Sequence, residues 1–188
     1  MDPLATVSVV SLWLPILISA VIVFIASWVI HMLLPYHRSD FLGLPSEDEV
    51  MAALRQHQIP PGDYVMPHAA DAKALRSPEF VEKTKKGPVA MLTVMKGFTM
   101  GTSLLQWIVY CVLVGVFAAY LTGRVVPPGG DYLEVFRFAG TTAFLGYGMA
   151  LLQNSIWYKR AWWTTLKSVF DGLIYALLTA GVFGWLWP

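Results

Sequence analysis

Residues 7–34 decide the fold, and they read VSVVSLWLPILISAVIVFIASWVIHMLL, with no Asp, Glu, Lys or Arg. As a single helix this run would be roughly 40 Å long, which exceeds the roughly 30 Å hydrocarbon core of a bilayer. No Lys or Arg precedes it, and it is far longer than the apolar segment of a secretory signal peptide. We therefore expect a retained first transmembrane helix.

Three further apolar runs are long enough to cross a bilayer: 98–122, 138–158 and 166–187. The predicted fold class is an all-α membrane protein with four transmembrane helices and a cytoplasmic insert of short helices between the first and the second. The predicted division is 1–34 for an N-terminal tail and the first helix, 35–97 for the insert, and 98–188 for helices two to four.

The composition supports this class and excludes others. Hydrophobic residues make up 56% of the 188 residues and charged residues only 13%, whereas soluble domains carry about 25% charged residues. A net charge of +1 excludes a strongly basic nucleic-acid-binding surface. The single cysteine, Cys111, excludes an intramolecular disulfide. Membrane lipids are therefore expected partners, and nucleic acids are not.

The basic residues predict the orientation. Eleven of the thirteen Lys and Arg residues lie in the insert or around the loop between the third and fourth runs. The positive-inside rule places both of these regions in the cytoplasm and both termini on the other side.

The insert contains two helix signals. Ser46 with Glu49 forms a capping-box pattern for a helix that extends to about Gln56, before a turn at 59–63. Ser77 and Pro78 open a second helix, which stops at Gly87. The apolar stretch 87–95 is either a short strand or an interfacial segment.

Small residues recur every four positions in the later runs, a spacing that lets helices approach closely in lipid. The predicted helix-packing residues are Gly115, Thr142, Gly146, Ala150, Gly172, Ala176, Ala180 and Gly184. Packing is the favoured interpretation, and the lining of a pore is the alternative.

A second group of residues is polar and is expected at one depth near the cytoplasmic side. This predicted intramembrane layer comprises His31, Gln106, Gln153, Asn154 and Asp171. An ionisable residue inside a membrane suggests a proton or substrate site. The competing interpretation is hydrogen bonding between helices, with Asp171 reaching towards the interface beside Lys167.

Cofactor and catalytic signals are weak. His31 is the one histidine in the runs, so a haem with two histidine ligands is not expected, although His31 remains a candidate single ligand for a chlorin-type pigment. His37, Asp40, His57, His68 and Asp71 have no recognised metal-ligand spacing and are interpreted as solvated loop residues. No metal site, no catalytic residue and no enzymatic activity are predicted.

Two stretches resemble a known group of proteins: GPVAMLTVM at 87–95 and DGLIYALLTAGVFGWLWP at 171–188. They are similar to uncharacterised bacterial inner-membrane proteins with the same four-span layout. The resemblance implies the topology, a bacterial source and a location in the inner membrane, and it implies no mechanism.

The function expected from these features is that of a non-catalytic accessory subunit. It would dock on other integral membrane subunits, preferably in a respiratory or photosynthetic electron-transfer complex, and any pigment or lipid would be bound through that host. The alternative is a small oligomeric carrier or channel that uses the polar layer around Asp171. A membrane enzyme that uses His37 or His68 ranks third.

Overall fold

The chain is all-α apart from one two-stranded sheet in residues 6–188, the part that this computed structural model describes. Four helical segments are long and apolar enough to cross a membrane: Val10–Leu33, Met100–Val125, Tyr132–Ile156 and Trp162–Trp185. The predicted fold class is confirmed, and the protein is a multi-pass membrane protein. The first five residues of the predicted N-terminal tail lie outside the described part.

The chain forms two compact units. The membrane unit takes the chain up to Phe41 together with Met100–Pro188, and the insert unit is Leu42–Thr99. The sequence-based division grouped 35–41 with the insert, whereas these residues cluster with the spans.

The first membrane segment changes its helical pitch along its length. A 3-10 turn, Val10–Leu12, leads into α1, Trp13–Trp28, and a π turn follows at Val29–Leu33. A second 3-10 turn, Pro35–His37, comes shortly afterwards. Single π turns are rare and occur frequently at functional sites, and this one carries His31.

The third membrane segment differs from the predicted run 138–158. It begins earlier because the carboxylate of Asp131 caps it, accepting hydrogen bonds from two backbone N–H groups of the first turn. It is also broken at Gly148, which the apolar pattern did not predict. The remaining helical elements of the membrane unit are α4, Met100–Val125; α5, Tyr132–Tyr147; a 3-10 turn, Met149–Leu151; α6, Leu152–Ile156; and α7, Trp162–Trp185.

Small residues bring the membrane helices together. A Cβ atom at Gly172 would lie only 2.7 Å from the carbonyl oxygen of Tyr147, at the point where the third segment breaks. A Cβ at Gly115 would lie 3.2 Å from Ile16, and one at Gly146 would lie 3.1 Å from Val114. The helices therefore approach closely where they carry glycine, as expected for packing in lipid.

The membrane unit has two ends with different interiors. At the end we call the closed end, buried apolar residues form one cluster: Val7, Leu12, Ile16, Ala118, Ala119, Val126, Val135, Ala139 and Phe183. The Val7 backbone N–H donates to the carbonyl of Gly123, at 2.9 Å, and thereby ties the start of the described chain to α4. The opposite end, called the open end, contains the C-terminal end of α1 and the N-terminal end of α7.

The insert unit consists of two short helices and an antiparallel pair of strands. Its elements are α2, Glu47–Gln56; β1, Gly62–Met66; α3, Pro78–Lys86; and β2, Ala90–Val94. The strands are antiparallel, with Gly62 opposite Val94 and Met66 opposite Ala90. None of residues 42–99, all of which are described, is buried within the chain.

The structure tests the helix signals of the insert separately. Ser77 caps α3 as predicted, since its hydroxyl accepts a hydrogen bond from the Phe80 N–H at 3.1 Å. The capping box at Ser46 is wrong, because Ser46 adopts a left-handed conformation and its side chain makes no cap hydrogen bond. The turn predicted at 59–63 overlaps the start of β1, and the stretch 87–95 contains a strand.

Candidate functional site

The segment that follows the π turn folds onto α7 and surrounds Asp171. The Tyr36 hydroxyl donates a hydrogen bond to Asp171 Oδ1, and His37 Nε2 lies 2.8 Å from Asp171 Oδ2. Asp171 is only 2% exposed. Two side chains of the 3-10 turn therefore cover this carboxylate, and its reach towards the membrane interface stays a prediction.

A second carboxylate extends this cluster. Asp40 Oδ2 lies 2.7 Å from His37 Nδ1, and Asp40 Oδ1 contacts the ammonium of Lys167. Burial opposes the ionisation of Asp40, but hydrogen bonds from Lys167 and His37, together with their charges, lower the pKa of Asp40 below its ordinary value. His37 thus lies between two carboxylates.

Lys167 fixes the backbone of the same segment. Its ammonium donates to the Tyr36 carbonyl at 2.6 Å and lies 3.4 Å from the Ser39 hydroxyl. The side chain is 7% exposed, so it lies under the segment rather than in solvent.

His31 completes the cluster from the π turn. Its Nδ1 lies 2.9 Å from the Ser27 carbonyl oxygen, and its ring stacks on His37, with centroids 4.5 Å apart and planes 6° from parallel. One potential ligand atom from each of His31, His37 and Asp171 lies within 4.8 Å of the others. Among the described residues, these three form a group whose side chains are close enough to bind one metal ion.

A cavity of about 660 Å³ adjoins this cluster. It lies between α1 and α4, and residues of α5 and α7 form its inner wall. His31 and Asp171 line one part of it, and the aromatic residues that line it are Phe24, Trp28, Trp107, Tyr110, Tyr147 and Tyr175. The site is therefore a largely aromatic cleft with a histidine and a buried carboxylate in its wall.

The polar groups of these aromatic side chains differ in whether they have hydrogen-bond partners. Trp107 donates to the Ser27 hydroxyl at 2.8 Å, and Tyr110 donates to the Gly146 carbonyl at 2.6 Å. The Tyr175 hydroxyl, by contrast, is buried and has no hydrogen-bond partner within residues 6–188. A buried hydroxyl without a partner is costly, so its place in the cavity wall suggests a role towards a ligand.

The predicted polar layer is only partly assembled. His31 and Asp171 meet in the cluster, whereas the side chains of Gln106 and Gln153 are exposed and are not part of the cavity wall. Asn154 is half-buried, and its carbonyl accepts a hydrogen bond from the Arg160 N–H at 3.1 Å.

Sequence reasoning missed several members of the site. His37 and Asp40 were interpreted as solvated loop residues, which is wrong, because the side chains of both are at most 9% exposed. Their spacing of three residues after an apolar run was the available signal, since it allows one side chain to bond the other. Tyr36 and Lys167 carried no comparable signal, because each acts through a residue more than a hundred positions away.

A comparison with known protein families, curated proteins and solved structures finds no match to this chain.

Proposed function

We propose that this membrane protein binds a lipophilic small molecule in the cavity, with the polar head of that molecule beside Asp171 and His31. The observation that supports this most directly is the cavity itself, about 660 Å³ of largely aromatic cleft that reaches a buried carboxylate. Pockets of roughly 300–1,000 Å³ with apolar walls and a few converging polar groups are typical of small-molecule sites.

The rim of the cavity suggests that the molecule enters from the bilayer. Trp28, Met32, Met100 and Leu104 line the cavity and are also exposed. Exposed apolar residues on a membrane-spanning segment face lipid, so this rim favours a lipophilic molecule over a water-soluble one.

The polar groups in the wall favour a head that donates hydrogen bonds. Asp171 accepts hydrogen bonds when ionised, His31 has an acceptor nitrogen when its ring is neutral, and Tyr175 can donate or accept. A carboxylate or phosphate head would be repelled by Asp171. An ammonium head would be attracted both by Asp171 and by the faces of the aromatic residues, and a hydroxyl head would be accepted less strongly.

Matched amphiphiles test this specificity. The full chain, stripped of metal ions with a chelator, is placed in phosphatidylcholine nanodiscs and titrated with a brominated long-chain amine, alcohol or carboxylic acid of equal chain length. Bromine quenches tryptophan on contact, and the signal of Trp107 is the wild-type quenching minus that of Trp107→Phe. We expect saturable quenching that is strongest for the amine, weaker for the alcohol and absent for the acid.

Two variants separate the cavity carboxylate from its neighbour. Asp171→Asn should weaken amine binding about tenfold, equivalent to about 1.4 kcal/mol. Asp40→Asn, which removes a carboxylate of the same cluster that does not line the cavity, should change it far less. Equal, non-saturating quenching by all three amphiphiles would contradict the proposed function.

The cavity supports the carrier alternative more than the accessory-subunit prediction. That prediction relied on small-residue faces free to dock on a partner, yet a Cβ at Gly172 or Gly184 would meet other helices of the same chain. Ala176 and Ala180 are buried as well, Thr142 is half-buried, and only Ala150 is exposed. Docking on an electron-transfer complex and a pigment on His31 stay predictions.

The bacterial inner membrane and the sidedness inferred from the basic residues also stay proposals. In the proposed orientation, the open end with its cavity faces the cytoplasmic leaflet. A cysteine placed at the C-terminus of the protein and treated with a membrane-impermeant reagent in intact cells tests this orientation. Labelling only after the membrane has been permeabilised would contradict it.

A further inference from the structure

We propose that His31, His37 and Asp171 form a binding site for a divalent transition-metal ion, at the edge of the cavity. One nitrogen of each histidine and one oxygen of the carboxylate lie within 4.8 Å of one another. Ligands bound to one tetrahedral ion at about 2.0–2.2 Å lie roughly 3.3–3.6 Å apart, so the most distant pair needs to close by up to about 1.5 Å.

Both histidines are held as metal ligands usually are. His37 Nδ1 faces the Asp40 carboxylate at 2.7 Å, and His31 Nδ1 faces the Ser27 carbonyl at 2.9 Å. Carboxylate and carbonyl oxygens only accept, so Nδ1 carries the hydrogen in each ring. Each neutral ring then keeps its lone pair on Nε2, which is the arrangement that outer hydrogen bonds impose on metal-bound histidines.

A cation is needed where His37 meets Asp171. With the ring neutral, His37 Nε2 and Asp171 Oδ2 would present lone pairs to each other at 2.8 Å. A proton shared between the two groups, or a metal ion bound to both, removes this repulsion. The His31 ring is stacked on the His37 ring at 4.5 Å, which brings a third donor group close to this pair.

The exposed ring completes the site by turning. Stacked rings hold their nitrogen lone pairs in parallel planes, so joint coordination requires the His31 ring to tilt towards Asp171. His31 is exposed, whereas the side chains of His37 and Asp171 are buried, and its side chain therefore has the room to do so.

The donor set indicates the class of ion. Two imidazoles and one carboxylate suit Zn²⁺, Fe²⁺ or Co²⁺, whereas Ca²⁺ and Mg²⁺ prefer oxygen ligands alone. Three protein ligands leave at least one coordination position open. Because His31 and Asp171 line the cavity, that position would open towards it.

The test uses the purified full chain, stripped with a chelator and titrated with Co²⁺ or Zn²⁺ without any amphiphile. We expect one tightly bound ion per chain by elemental analysis, and visible Co²⁺ absorption bands typical of nitrogen and oxygen ligands. His31→Gln is the main variant, because an exposed side chain can be changed with little effect on folding. It should weaken binding at least tenfold.

Two further variants define the site. His68→Gln changes a histidine of the insert unit and should leave metal binding unchanged. Asp40→Asn removes the outer hydrogen bond to His37 and should weaken binding about 10- to 100-fold. If the stripped wild type binds no stoichiometric ion, or if His31→Gln binds it as the wild type does, the proposal is overturned. Because no amphiphile is present, this result would leave the proposed lipophile site standing.

Discussion

The two ends of the membrane unit are built from similar apolar helices, yet one is filled and the other contains a cavity. At the closed end, Leu12 and Phe183 are fully buried among small residues such as Ala118 and Ala139. At the open end, large rings separate the helices, with the Trp107 and Tyr175 centroids 5.8 Å apart. Small side chains let helices meet, whereas aromatic side chains with polar tips hold them apart around the cavity.

The two ends of the membrane unit also differ in their buried polar and charged groups. Among the described residues, the closed end pairs backbone carbonyls through short bonds, such as that from Trp187 Nε1 to the Pro127 carbonyl at 2.9 Å, and has one buried hydroxyl without a partner, that of Thr122. The open end concentrates buried charge at Asp40, Lys167 and Asp171 and leaves the Tyr175 hydroxyl unpaired. We infer that the closed end provides stability and the open end provides binding.

The largest expected effect is at the closed end. Phe183→Ala should lower the free energy of unfolding by about 3 kcal/mol, because it leaves a void in a packed cluster. Phe170→Ala is the matched control, since Phe170 lies on the same helix but is 58% exposed, and it should have little effect. Steric trapping in bicelles measures the free energy of unfolding of both variants. Equal losses would contradict the role of the closed end in stability.

Removal of the buried ammonium should come next. Lys167→Gln leaves Asp40 with less compensation and should cost roughly 2–3 kcal/mol. Lys159→Gln is the control, because Lys159 is exposed and its ammonium bonds only the carbonyl of Ile156 among the contacts described. A wild-type thermal midpoint for Lys167→Gln would mean that the cluster does not anchor the segment 36–40.

A smaller effect is expected where the chain start meets α4. A Cβ at Gly123 would overlap the Val7 carbonyl, so Gly123→Ala should cost about 1–3 kcal/mol. Gly101→Ala lies in the same helix with nothing within 4 Å of the new methyl group, and it should be neutral or slightly stabilising. Thermal midpoints in detergent compare the two, and no difference would show that the closed end tolerates expansion.

The smallest effect on stability is expected at Tyr175. Tyr175→Phe removes a buried hydroxyl that makes no hydrogen bond within the described chain, so the free energy of unfolding should not fall and should rise by at most about 1 kcal/mol. Tyr110→Phe, which loses the bond to the Gly146 carbonyl, should cost about 1 kcal/mol. Affinity for the alcohol amphiphile should nevertheless fall several-fold in Tyr175→Phe, and unchanged affinity would remove Tyr175 from the site.

The sequence predicted the spans because their evidence is local. Runs such as 7–34 are apolar and long enough to cross a bilayer as helices, and this signal does not depend on tertiary contacts. The break at Gly148 was missed because it depends on the close approach of Gly172. The strand β1 was missed because it is short and follows Pro60 and Pro61 directly.

The site was harder to predict because its members meet only in three dimensions. His37 and Asp171 are 134 residues apart in sequence, and no spacing rule links them. Asp171 and His31 were identified as polar residues in apolar runs, and the structure brings these two into one cluster. Their partners Tyr36 and Asp40 lie just beyond the first run, where polar residues are ordinarily solvated.

One measurement tests the central claim, that the open end holds a ligand. Ser168 lines the cavity and is half-buried, so Ser168→Phe should fill space beside Asp171. In a variant that keeps the wild-type elution profile, the saturable quenching of Trp107 by the brominated amine should be lost. Wild-type quenching with the cavity filled would contradict the account.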